Sequence, residues 1–108
     1  MMITTSNRKS RKVKAMKVKE LIKLLQDYDQ DSEVVIAGYE TICSAYVAEA
    51  DLVKACKTVQ RRSPDSLDGN KELTNEGDPS VWIGWSGDYR TPQQLAAIED
   101  PDEMKDQP

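Results

Sequence analysis

Between Met16 and Gly38 the apolar positions change their period. Val18, Leu21, Ile22, Leu25 and Tyr28 recur at intervals of three and four residues, with Leu24 widening the stripe, so the spacing predicts an amphipathic helix over about Lys17–Tyr28. Lys19, Lys23 and Gln26 fall on its solvent face. Asp27, Asp29, Gln30, Asp31 and Ser32 then end it, because short polar side chains compete for backbone hydrogen bonds and favour turns. Glu33–Ala37 follows as a short β-branched run closed by Gly38, the pattern of a strand covered on at least one face.

Farther along, the pattern is less decisive. Tyr39–Ser44 makes a loop. Tyr46, Val47, Ala50, Leu52, Val53, Ala55, Cys56 and Val59 suit either one broad-faced helix or a strand in the second half, since Val53, Ala55 and Val59 alternate against Lys54 and Thr58. Residues 62–79 are dense in Pro, Gly, Asn, Asp and Ser and predict a long exposed loop. Ser80–Trp85 alternates as a second strand, with Val81, Ile83 and Trp85 on a core face and Trp82 on the other. Gly87–Arg90 turns, and Thr91-Pro92-Gln93-Gln94 forms a capping box with Pro at the first helical position, starting a short helix through Leu95 and Ile98 that stops before Pro101.

The run V-x-E-L-I-x-x-L followed by D-x-x-S-E-V-V-I-x-G-Y-E resembles the opening of small uncharacterised bacteriophage and prophage proteins. The resemblance covers Met16 to about Glu40, and beyond that only the general order of elements. It implies a short helix before a compact antiparallel sheet, which favours a strand over Leu52–Arg61. The family pattern often carries Thr or Ser three residues before the Glu. Here Lys17 stands before Glu20, so the cap is missing and a positive charge sits at the positive end of the helix dipole.

The expected fold is therefore α+β: an N-terminal amphipathic helix packed on a three- or four-stranded antiparallel sheet, with a short C-terminal helix. Residues 1–15 form a flexible basic arm, 16–98 one domain, and 99–108 a disordered acidic tail. A length of 108 residues matches one modest core.

Charge divides the chain. Met1–Lys23 holds eight Lys/Arg against Glu20 alone, a balance of +7, and leaves −11 on the remainder of a chain whose net charge is −4. Cys43 and Cys56 have neither a C-x-x-C nor a zinc spacing and are expected as reduced thiols. With no apolar leader and no run near the ~20 apolar residues a bilayer requires, the expected location is the cytoplasm, of a bacterial host if the origin is a phage. Histidine is absent, which removes the commonest general base near neutral pH and a common metal ligand.

Candidate chemistry is sparse. Asp27, Asp29, Asp31 and Glu33 follow the spacing that opens a calcium loop, but the sixth and twelfth positions hold Ser32 and Gly38 where Gly and Glu are required. Gly84-Trp85-Ser86-Gly87-Asp88 is not the G-x-S-x-G elbow, and no imidazole exists to activate the serine. No metal and no cofactor are expected, and the chain reads as non-catalytic.

Trp82 facing away from the core, near Tyr39, Arg61, Arg62 or Arg90, would make a stacking surface for a nucleotide or a partner side chain. The function expected from this is a phage accessory binding protein, either a counter-defence inhibitor of a host protein or a sponge for a signalling nucleotide. A homo-oligomer completed through an exposed sheet edge is a further expectation. The alternatives are a nucleic-acid-associated regulator using Arg8, Lys9, Arg11 and Lys12 on phosphates, and a virion structural component.

Overall fold

The computed structural model describes residues 15–40 and 45–105. The contacts group the described residues into two compact units that divide between Ser32 and Glu33. The architecture is α+β: a helix, antiparallel sheets of two and three strands, and short C-terminal helices. No helix among the described residues is long and apolar enough to cross a membrane.

In the first unit, helix α1 spans Val18–Leu25, shorter than the expected Lys17–Tyr28. Its end follows from the polar run. Gln30 donates its amide to the carbonyls of Leu25, at 3.1 Å, and Tyr28, at 2.7 Å, while Asp29 accepts the backbone N–H of Asp31 at 3.0 Å. The carboxylates expected as a failed calcium pattern thus include the parts of an ordinary turn. At the other end Glu20 accepts the Lys17 N–H at 2.8 Å. Half of a capping box forms, and the ammonium of Lys17 has no acceptor to complete it. Val18, Ile22, Leu24, Leu25 and Tyr28 are exposed and Leu21 is half-buried.

In the second unit, β1 (Val35–Ile36) pairs antiparallel with β2 (Ala48–Glu49), and the long β3 (Leu52–Asp65) pairs with β4 (Gly69–Leu73) and β5 (Asp78–Gly84) in the order β4-β3-β5. The strand alternative for residues 44–61 holds from Leu52, and the expected long loop over 62–79 is corrected. Arg62–Asp65 continue β3, a turn spans 66–68, and Gly69–Leu73 return as β4. In that turn the Asp65 carboxylate accepts the backbone N–H groups of Leu67 and Asp68, at 2.6 and 3.3 Å.

Leu52 to Thr58 pair with Gly84 to Asp78, whereas β4 is in register with β3 only from Thr58 onward. Thr58 is therefore the hinge of the sheet, paired with Leu73 on one side and Asp78 on the other. The chain from β4 to β5 runs close against it: a Cβ placed on Gly77 would lie 2.5 Å from the Thr58 carbonyl oxygen, so only glycine fits.

Strand alternation puts Leu52, Cys56, Thr58, Leu73, Ser80 and Trp82 on one face, all half-buried, with the Thr58 and Ser80 hydroxyls bonded at 2.7 Å. Burial pushes the Cys56 thiol above its usual range. Val53, Ala55, Val81 and Ile83 share the opposite face and are exposed, Val53 at 69%. The expectation that Val81 and Ile83 form the core face is overturned. β5 ends at Gly84, so Trp85 lies beyond the strand and does not extend its alternation.

Helix α2 (Thr91–Glu99) is followed by α3 (Pro101–Lys105). The tail expected to be disordered from 99 is helical at Glu99 and again over Pro101–Lys105, with Asp100 as the break between, since proline is tolerated in a first helical turn and Asp102 and Glu103 favour the N-terminal end of the dipole. Thr91 lies within the helix and is buried, and its hydroxyl donates to the Trp85 carbonyl at 2.6 Å in place of capping. Ala48 and Pro101 are the apolar side chains that reach the buried class among the described residues, Ala48 at 5% exposure.

Candidate aromatic binding cleft

The turn between β5 and α2 assembles the most elaborate cluster of side chains in the second unit. Asp51, just before β3, accepts the Ser86 backbone N–H at 2.7 Å and its hydroxyl at 2.6 Å, and donates its own N–H to the Gly84 carbonyl at 3.0 Å. These bonds tie the turn to the start of β3. The Ser86 bonds also hold the Asp51 carboxyl below its usual range.

Asp88 caps the next step. It accepts the backbone N–H of Arg90 at 2.8 Å and grips the guanidinium twice, Nε at 3.0 Å and Nη2 at 2.6 Å. The Arg90 hydrogen bonds lower the Asp88 carboxyl from 3.8 to about 2, and in return Asp88 holds Arg90 above its usual value.

Above this pair lies Tyr39. The Arg90 guanidinium carbon sits 4.7 Å from the centre of its ring, and the ring of Tyr89 meets it edge-on at 5.1 Å. A hydrogen bond with Tyr89 and that group's charge hold the Tyr39 phenol above its ordinary range. The backbone turns sharply just after it, with Glu40 at φ 59°, a left-handed conformation in which a side chain costs energy.

A cleft of about 330 Å³ opens beside the pair, lined among others by Trp82, Trp85, Ile36, Asp88, Arg90 and Gln94. Trp82 lies over Gly84, where a Cβ would collide with its six-membered ring, and Trp85 lies over Gly87, where a Cβ would approach Cζ2 to 2.5 Å. The two glycines leave room for the two indoles.

Of the expected site residues, the structure brings Trp82, Arg90 and Tyr39 together, with Arg90 as the link: it lines the cleft with Trp82 and touches Tyr39. Arg61 and Arg62 lie on the β3–β4 hairpin, where Arg61 donates to the Gly69 carbonyl at 2.9 Å, and neither lines this cleft. Arg8, Lys9, Arg11 and Lys12 fall outside the described residues. Asp88 and Tyr89 were missed by sequence reasoning, although the run Asp88-Tyr89-Arg90 itself sets an acid two residues from a base across an aromatic.

Chemically the cleft offers flat apolar surface, an amide at Gln94 and a neutralised ion pair. No protein family, curated protein or solved structure matches the chain.

Proposed function

We propose that this protein is a non-catalytic binding protein that acts by covering part of another protein, with the Trp82–Arg90 cleft as its contact surface. One observation carries the choice of partner: Arg90, the cation at the cleft, already gives two donors to Asp88. A phosphate there would meet a guanidinium whose charge that carboxylate already neutralises, with two of its five N–H groups engaged and little net charge left to hold an anion. A partner side chain or loop has no such obstacle, and exposed tyrosine beside tryptophan and arginine is the composition of protein-binding hot spots. Protein inhibition is therefore favoured over nucleotide sequestration.

Within that class, the likeness of Met16–Glu40 to small phage proteins suggests a phage accessory factor acting in the bacterial cytoplasm as a counter-defence inhibitor. Occupying a site in this way requires shape and no reaction. Calorimetry of the full chain against purified host defence proteins and against cyclic nucleotides tests it. The expected result is a protein partner whose affinity drops tenfold or more with Trp82→Ala, and no heat with the nucleotides. Micromolar nucleotide binding would reverse the choice.

A further inference from the structure

A second surface follows from the backbone of β3. The Thr74 N–H donates to the Lys57 carbonyl at 3.1 Å, so Lys57 turns its backbone groups toward the edge that carries β4. Residues two apart in a strand present their N–H and C=O to the same edge, so Ala55 and Val53 face that side too. β4, however, is in register with β3 only from Thr58 onward. Along Val53–Ala55, the β5 ladder holds one edge, and no strand among the described residues pairs on the other.

Such an edge is a template for another chain. The outer edge of β5 is interrupted by Pro79, which has no N–H to offer. The β3 edge has no such block, and beside it runs a groove of about 250 Å³ lined by Ala55, Lys57, Ile98 and Pro101 and flanked by Thr74 and Asn75. Asn75 is fixed by a 2.8 Å bond to Asp102. The volume falls below the usual range for small-molecule sites. A strand edge beside a helical wall is instead suited to an extended chain that adds as a further strand.

The geometry points to an extended acidic peptide, a segment of a partner protein, as the occupant of this edge. Its backbone pairs with Val53 and Ala55, and one apolar side chain rests against Ile98 and Pro101. Lys54 and Lys57 project to opposite faces of the same strand. Lysines on an edge deter indiscriminate pairing and favour a strand that brings carboxylates to them. A second copy fits less well, because antiparallel pairing about Lys54 would set two lysines directly opposite each other. This surface goes beyond the aromatic cleft and does not depend on it.

Amide exchange by NMR on the full chain tests the inference in two steps. In dilute free protein, the Val53 and Ala55 amides exchange fast while those of Lys54 and Cys56 are protected by β5. Adding an acetylated Glu-Val-Glu-Val-Glu peptide slows Val53 and Ala55 tenfold or more, whereas the matching peptide with Lys for Glu does not. Ala55→Pro removes the outward N–H, leaves the β5 ladder intact and abolishes the effect. Should that variant unfold, the doubly substituted Lys54→Glu, Lys57→Glu chain keeps the backbone and is expected to exchange its preference for the lysine peptide. Protection of Val53 and Ala55 in the free protein at every concentration would overturn the proposal, because the edge would then be covered within the chain. Protection lost on dilution would give the edge to a second copy and overturn it equally, as would indifference to the charge of the peptide.

Discussion

Asp88 holds Arg90 by two hydrogen bonds, of 3.0 and 2.6 Å, directly beneath the ring of Tyr39. The carboxyl group sits at about 2 instead of its ordinary 3.8, so its charged form is favoured by folding. A depressed acid contributes stability that is fully present above its unfolded value and is lost as pH falls through its folded one. The expected outcome is a urea midpoint that falls between about pH 4 and about pH 2, with Asp88→Asn removing part of that slope. A slope unaltered in the variant would place the acid sensitivity elsewhere, first at Asp51.

Gly84 and Trp82 offer a test of the cleft that leaves its polar groups untouched. A methyl group at Gly84 would occupy the space of the Trp82 ring, and the ring is the part able to move. Gly84→Ala is expected to expose the indole and shift its fluorescence to the red. Affinity for a protein partner should fall at the same time, since the flat surface is gone. Unchanged emission would show that the ring does not rest on Gly84.

At α1 the helix start carries half of a capping box, with Glu20 accepting from the Lys17 backbone and no acceptor returned. Lys17→Thr supplies the missing oxygen and removes a positive charge from the positive end of the dipole. Stabilisation of about 0.5–1 kcal/mol is expected, read as slower amide exchange across Val18–Leu25 by roughly two- to fivefold. Equal or faster exchange would argue against a helix starting at Val18.

These elements differ in how visible they are in the residues. The α1 stripe, the strand at Val35 and the strand ending at Gly84 have clear apolar periods, and their polar boundaries lie where local hydrogen bonds end them. β4 was hidden because Gly69-Asn70-Lys71-Glu72-Leu73 has the composition of a turn. Its extended form comes from pairing with Thr58–Gln60, and tertiary pairing overrides weak propensity. In the sequence Pro101 reads as a stop, yet proline opens α3 as readily as it closes α2. Trp82 and Arg90 stood out because such side chains make contacts wherever they lie. The contact of Arg90 and Tyr89 with Tyr39, which is 50 residues from Tyr89 in the chain, has no local signature, and neither has the open edge of β3, which exists only because β4 begins its register at Thr58.

That register rests on Gly77. The connection between β4 and β5 runs so close to β3 that a Cβ on Gly77 would lie 2.5 to 2.7 Å from the oxygen, carbon and nitrogen of Thr58. All three are backbone atoms in a paired strand, so no side chain can swing aside to make room. Gly77→Ala is therefore expected to destabilise the second unit by about 1–3 kcal/mol, the range of overpacked sites, even though glycine-to-alanine changes in open segments stabilise. Gly69, with φ at 102° and open space around it, separates the two causes: Gly69→Ala strains only the hairpin turn, and its cost should appear as exchange near 66–70 without disturbing Thr58. Denaturation midpoints with residue-level exchange check both. A Gly77→Ala chain as stable as the parent would mean that the connection passes farther from Thr58, and the pairing of β3 with two separate strands would then have to be redrawn.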